Sequence, residues 1–415
     1  MTTNTPNRWL IAAAGVLMQI ALGAVYAWSV FRIPLTKTYG WTVPEVTSAF
    51  ELAILVLGFA AFAGGLWMRR VGPRTVALSA SILYGAGTML AGISHTLPML
   101  YLTYGVIGGA GIGLAYIVPV ATLLRWFPDH RGMITGVAVA GFGAGALITA
   151  PIAQYLIDSS GVNATFLILG AAYFVIVASC AFFMIVPPEG YAPPGYRASL
   201  ASAHIAPAQD LTLRQALGSW QWYGLWMTLF LNSMAGIAII SQASPMAQEV
   251  SHVSAATAAA MVGIISIGNG CGRLFWAWLS DAIGRKTVFL TMFGVEALVF
   301  LLLSQTSDFS MLALLLCIIL LCYGGGFGTM PAFAADYFGS RDIGSIYGLM
   351  LTAWGFAGVA GPALIAHFRQ ATGEYHGVLR IMAFIALASG TVPLLLRKPS
   401  PQEPALRSVQ HEARG

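Results

Sequence analysis

The sequence predicts an all-α integral membrane protein with twelve transmembrane helices in two six-helix repeats. Three observations carry that prediction: the composition, the number of apolar runs, and an echo between the two halves. Of 415 residues, 58% are hydrophobic and only 8% are charged, with a mean hydropathy of +0.77. A soluble domain of this length needs far more charge. The 47 glycines suit helices that must approach closely in lipid. The net charge of +5 is scattered through loops rather than gathered in a patch, which argues against a nucleic-acid surface. Cys180, Cys271, Cys317 and Cys322 all fall in apolar runs and read as packing residues, not as disulfides or metal ligands.

Runs long enough to cross about 30 Å of hydrocarbon fall at 9–33, 44–68, 75–94, 98–124, 133–157, 163–187, 220–246, 255–279, 286–306, 310–335, 343–368 and 376–397. The first run is too long for a signal-peptide core and has no small-residue cleavage pattern behind it, so it is kept as a span. Residues 188–219 form the longest polar interruption. They read as a cytoplasmic linker between an N-terminal bundle (1–187) and a C-terminal bundle (220–397). The polar stretch 398–415 reads as a disordered cytoplasmic tail. With the N-terminus placed inside, 15 Lys and Arg fall on the inner side and 4 on the outer, leaving Arg273 within a span. The positive-inside rule then puts both termini in the cytoplasm of a cell whose inner (plasma) membrane this chain crosses.

The halves echo each other at an offset near 212 residues. Gly65 to Arg74 reads GLWMRRVGPR and Ala277 to Lys286 reads AWLSDAIGRK, with Gly72 and Gly284 in register. Arg125-Trp126-Phe127-Pro128 precedes Gly136 and Pro151, as Asp336-Tyr337-Phe338-Gly339 precedes Gly348 and Pro362. Parallel six-span repeats place a binding site at the midplane between two rocking bundles.

The segment LSDAIGRK (Leu279 to Lys286) resembles the loop signature of the major facilitator superfamily. The first-half copy departs from it, with Arg69 where the acidic residue would stand, which argues against a salt-bridge gate at that loop. NRWLIAAAGVLMQIALGAVYAWSVF (Asn7 to Phe31), RWFPDHRG (Arg125 to Gly132) and NGCGR (Asn269 to Arg273) resemble the oxalate/formate antiporter and monocarboxylate transporter group. The resemblance implies the major facilitator fold and carriage of small carboxylates by alternating access.

Arg273 carries the chemistry. It is the one basic residue well inside a membrane-length apolar run, ATAAAMVGIISIGNGCGRLFWAWLS. Arginine at bilayer depth costs roughly 2.5–3.5 kcal/mol on insertion scales, and it cannot lose its charge to avoid that cost. Ser266, Asn269 and Arg273 stand at i, i+3 and i+7 and so share a helix face. A guanidinium holds a carboxylate through two parallel hydrogen bonds. Asn269, one turn away, is placed to orient it; in the group resembled, arginine at this position binds the substrate carboxylate. Tyr26, Tyr116, Tyr323 and Phe327 stand on spans that line the cavity in such carriers. Trp28 is a further candidate near the mouth, while Phe142, in AGFGAGA, reads as helix packing. The oxalate-exchanging members carry a second cation, a lysine in the eleventh span, where this chain has Trp354. One cation and one indole favour a monoanion such as lactate or pyruvate, because a bare dianion would leave a charge unpaired.

Proton symport requires a titratable group, and Glu51 and Glu296 are the candidates embedded in spans. Asp281 and Arg285 are expected at a cytoplasmic gate. No cofactor or metal is implied, and the partners expected are a small monocarboxylate, a proton and the lipid bilayer around a monomer. Three alternatives to a proton-coupled carrier stand. They are an oxalate/formate-type antiporter, exchange or uniport without a proton, and a carboxylate receptor on a transporter scaffold. An enzyme is not expected, since no nucleophile–base pair, phosphate loop or metal spacing occurs.

Overall fold

A computed structural model of the chain describes residues 6–188, 190–193, 210–372 and 375–398. Among these, nine helical stretches are long and apolar enough to cross a membrane. Two of them, of 44 and 51 residues, are each broken at a glycine and hold two spans apiece. Together with the helix Ala255–Ile283 they make up the twelve expected helices.

The first helix, α1, runs over Arg8–Leu22, tightens through Gly23–Ala27 and resumes over Trp28–Tyr39. Asn7 starts it by accepting a hydrogen bond from the amide of Trp9, as N-cap residues do. Helices α2 and α3 share the stretch Val43–Ala91 and divide at Gly72. The stretch opens on a capping box in which Thr42 and Glu45 satisfy each other's backbone amides. The next helix, α4, comprises Leu97–Leu100, a wider π-helical stretch over Tyr101–Gly108, and Gly109–Trp126. Helices α5 and α6 share Arg131–Ala181 and divide at Gly161. In the second half follow α7 (Trp220–Val250), α8 (Ala255–Ile283), α9 (Arg285–Leu303) and α10 (Phe309–Phe338). Helix α11 is Ile343–Met350 continued by Thr352–Thr372, and α12 is Tyr375–Ser389 with one further turn over Thr391–Leu395.

Within the expected linker, Leu213–Leu217 forms a short helix. The amide of Leu211 bonds to the carbonyl of Phe338, tying that strip to the end of α10. Residues 194–209 of the linker, and the expected tail apart from Lys398, lie outside the described residues.

The internal echo is physical. Gly72 (φ 81°, ψ 164°) and Gly284 (φ 89°, ψ 148°), in register by sequence, both adopt the left-handed φ that only glycine takes freely. Both sit at the junction between a second and a third helix of their half. The contacts between halves repeat as well. A Cβ on Gly136 of α5 would lie 2.7 Å from the carbonyl of Arg273, and one on Gly348 of α11 would lie 2.7 Å from the carbonyl of Ala61. Each of those residues is 212 positions from its counterpart. Gly132 meets the carbonyl of Ala277 as Gly65 meets Gly344, again in register. Helices α5 and α8 therefore pack across the midline in the same way as α11 and α2, with glycines set against the backbone of the facing helix.

Candidate functional site

Arg273 sits on the midline face of α8 and is 1% exposed. Its guanidinium carbon lies 5.5 Å from the ring centre of Phe142 and 5.3 Å from that of Phe327, one from each half, within cation–π range of both. One N–H donates to the carbonyl of Val139 at 3.1 Å. Its Nε has no hydrogen-bond partner among the described residues. The ion pairs formed by described residues do not include it. A buried arginine without an anion is strongly unfavourable as a permanent arrangement.

Four tyrosines surround that guanidinium. The charge of Arg273 reaches the hydroxyls of Tyr26, Tyr116, Tyr323 and Tyr347. The Tyr26 hydroxyl lies near Arg273 and Tyr323, and the Tyr116 hydroxyl near Arg273 and Tyr347. None of the Tyr26, Tyr116 or Tyr347 hydroxyls meets a partner in good hydrogen-bond geometry, and the Asn269 side-chain oxygen is likewise unpartnered. Several buried polar atoms without partners in one place are uncommon in a folded core. Here they converge on a single cation.

Aromatic rings wall the cluster. Phe142 is edge-on to Tyr26 (5.1 Å) and Tyr116 (5.4 Å). Trp354 packs against Phe327 at 5.1 Å, and its indole N–H donates to the Tyr323 hydroxyl at 2.9 Å. Trp354 thus joins the aromatic wall from α11, and its one donor is already engaged. Gln19 of α1 is fully buried and anchors the Tyr116 backbone carbonyl at 3.1 Å.

The sequence-derived candidates are distributed unevenly. Arg273, Tyr26, Tyr116, Tyr323, Phe327 and Trp354 are brought together, and Asn269 stands one turn from the arginine. Trp28 is turned into the first bundle. Its N–H donates to the carbonyl of Val46 at 3.1 Å, and its ring packs on Tyr104 at 4.2 Å. An indole N–H buried in a helix bundle needs an acceptor, and the near one lies in the first bundle. Phe142 is not merely helix packing, since it forms one side of the cation cage. Tyr347 was not anticipated. It stands seven residues before Trp354 and so shares that helix face, which is the sequence signal that pointed to it.

The two carboxylate candidates also differ. Glu51 is exposed on α2, close enough to Tyr101 for its charge to act there. Glu296 is wholly buried. One of its oxygens accepts from the Asn232 side chain at 3.3 Å, and the other has no hydrogen-bond partner among the described residues. The same Asn232 amide reaches the carbonyl of Cys322 at 3.2 Å, next in sequence to Tyr323.

At the face that carries most of the Arg and Lys, two latches join the halves. In the first, Asp281 accepts from the amides of Gly132 (3.0 Å) and Met133 (2.7 Å), the start of α5, where a negative charge is favoured. Arg285 pairs with Asp281 at 2.7 Å and with Asp336 at 3.1 Å, and Arg131 pairs with Asp336 at 3.4 Å. Asp281 and Arg285 thus both belong to this latch. The second latch occupies the register-equivalent place. There Arg69, the counterpart of Asp281, pairs with Asp342 at 3.0 Å, ahead of α11. The first-half loop therefore does form a salt bridge, contrary to the expectation from its missing acid, because the carboxylate has moved to the opposite partner. Arg125 reinforces it by donating to the carbonyls of Ser340 and Arg341.

Comparison with known proteins agrees with this architecture. Residues 9–281 and 225–414 match the Major Facilitator Superfamily. The chain is 27% identical over 414 residues to the oxalate:formate antiporter of Oxalobacter formigenes, covering 96% of each chain. It is 26% identical over 446 residues to the apicoplast pyruvate carrier 1 of Toxoplasma gondii, covering 84% of this chain and 82% of that one. The human organic anion transporter MFSD10 has the same fold, with a TM-score of 0.73 at 16% identity over 94% of this chain and 100% of that one. The chain belongs to the Major Facilitator Superfamily.

Proposed function

We propose that this transporter carries small monocarboxylates of lactate or pyruvate size by alternating access, together with a proton. The observation that supports this best is Arg273, a single buried cation caged by Phe142 and Phe327 and unpaired among the described residues. One guanidinium edge matches one carboxylate. The tyrosine hydroxyls supply further donors, and the rings accept a short alkyl stub. Trp354 holds the place of a second cation, so a dianion would keep one charge buried and unpaired at a cost of several kcal/mol. The names of the relatives favour small carboxylates in the same sense.

The basic face is the cytoplasmic one by the positive-inside rule, with both termini there and the chain in the plasma membrane. The two latches then close the cytoplasmic side of the site. Substrate release inward requires both to part, as rocking of two bundles about a fixed site demands. For the proton we favour Glu296 over Glu51. It is buried, half-satisfied, and linked through Asn232 to the backbone beside Tyr323.

The test is uptake of radiolabelled L-lactate into proteoliposomes with and without an inward proton gradient. Gradient-stimulated uptake that Glu296→Gln makes insensitive to the gradient supports the symport reading. Oxalate/formate exchange without lactate uptake would favour the antiporter reading, for which the 27% identical relative is the specific observation.

A further inference from the structure

The two latches are built from equivalent positions but are not equally balanced. In the first, Arg131 and Arg285 face Asp281 and Asp336, so two cations meet two carboxylates. In the second, Arg69 stands where Asp281 stands in the other copy. A cavity of about 330 Å³ opens there between α2, α4 and the start of α11. Its walls include Arg69, Arg125, Arg341 and Asp342, with Met68 and Thr122 beside them.

Three cations thus share the cavity with one carboxylate, and Asp342 is already paired with Arg69. Asp210 adjoins the cluster. It accepts the amides of Ser340 and Arg341 and its charge acts on Arg125, yet even with it one positive charge is left over. Among the described residues Arg125 donates to the backbone carbonyls of Ser340 and Arg341, which carry no full charge. The Thr122 hydroxyl, 3% exposed, has no hydrogen-bond partner among the described residues. We propose that this cavity binds a phosphate-type oxyanion, which offsets the excess of cations along its walls. The anion is either free phosphate or the phosphodiester of a lipid headgroup, since the cavity opens at the helix ends. Arginine forks suit such groups through paired, charge-assisted hydrogen bonds. Because the walls come from both halves, the anion binds the closed face better than the open one and shifts the population towards closure.

The experiment uses the full chain purified in a neutral detergent. Its melting temperature is followed against sodium phosphate, with sodium chloride of matched ionic strength as the control. A parallel arm compares vesicles of phosphatidylcholine alone with vesicles containing phosphatidylglycerol. The variants are Arg341→Gln, an exposed side chain, and Thr122→Val, which keeps the shape of a side chain that has no partner to lose. A ligand that binds only the folded state raises the melting temperature. The expected result is a rise with phosphate, or with the anionic lipid alone, that needs about tenfold more ligand in Arg341→Gln, as loss of a charged hydrogen bond implies. A response to inorganic phosphate identifies the free anion, and a response confined to phosphatidylglycerol identifies the headgroup. No rise in either arm, or a rise unchanged in both variants, overturns the proposal.

Discussion

At the scale of single residues, Arg273 is held by geometry as well as by charge. Its contacts with the rings of Phe142 and Phe327 favour a planar cation, which lysine is not. Arg273→Lys is therefore expected to lower L-lactate uptake about tenfold or more, as loss of one charge-assisted hydrogen bond implies. An initial-rate series against substrate concentration measures this, and near-normal uptake would show that charge alone suffices. Trp354→Lys adds a second cation beside the first and is expected to raise oxalate exchange at the expense of lactate. Competition between the two labelled acids reads that change directly. Most of this site was legible in the sequence, because an arginine inside an apolar span is rare and its neighbours follow by helical spacing. Phe142 was not, since AGFGAGA reads as a close-packing motif and a ring between small residues gives no sign of which helix it faces. Tyr347 was overlooked although its spacing from Trp354 carried the signal. Trp28 was included because an aromatic near a span's outer half fits a pore mouth as well as a bundle core. Only the acceptor at Val46 decides between them.

At the scale of elements, the latches illustrate what a repeat can conceal. The sequence shows Arg69 in place of an acid, and the pair it forms with Asp342 lies 273 positions away, beyond the reach of any local motif. Reversal of both charges should keep the contact. Arg69→Asp and Asp342→Arg are each expected to loosen the basic face, while the double variant restores it. The coupling should be about 1 kcal/mol, in the range of partly exposed pairs, because Arg69 is 40% exposed. A double-mutant cycle on melting temperature measures it, and strictly additive effects would show that the pair contributes nothing. A second clasp, between Arg8 and Asp129 at 2.8 and 2.9 Å, ties α1 to the loop before α5. Partial burial pushes the Asp129 carboxyl up, but the hydrogen bonds and charge of Arg8, with His130 nearby, outweigh it and leave it below the ordinary carboxylate range. A group depressed in the folded state contributes stability above its unfolded pKa and loses it as pH falls through the folded one. The melting temperature gap between the wild type and Asp129→Asn is therefore expected to shrink on acidification below about pH 4. A gap that stays constant across that range would show that the clasp is not electrostatic.

For the whole molecule, the twelve helices and the division into halves were readable because lipid leaves few alternatives to long apolar helices. The offset of 212 residues extends from sequence to contact, since Gly136 and Gly348 lie against the backbones of Arg273 and Ala61 in the same manner. What the halves do not share is the charge. Arg273 is present on one side of the pseudo-symmetry and Ala61 on the other, so the proposed carboxylate site would be charged on one half alone. Packing this close allows no Cβ at the crossings. Gly136→Leu is therefore expected to drive the halves apart and abolish uptake while leaving the chain inserted, as fluorescence-detected size-exclusion would report. Retained uptake would show that the interface tolerates separation.

The most direct test of the central claim is binding itself. Isothermal titration of the purified transporter with L-lactate and with oxalate, on the wild type and on Arg273→Ala, asks whether this arginine holds a single carboxylate. The account predicts saturable lactate binding that disappears in the variant, and oxalate binding that is weaker than lactate in the wild type. Lactate binding that survives in Arg273→Ala, or oxalate binding tighter than lactate, would contradict it.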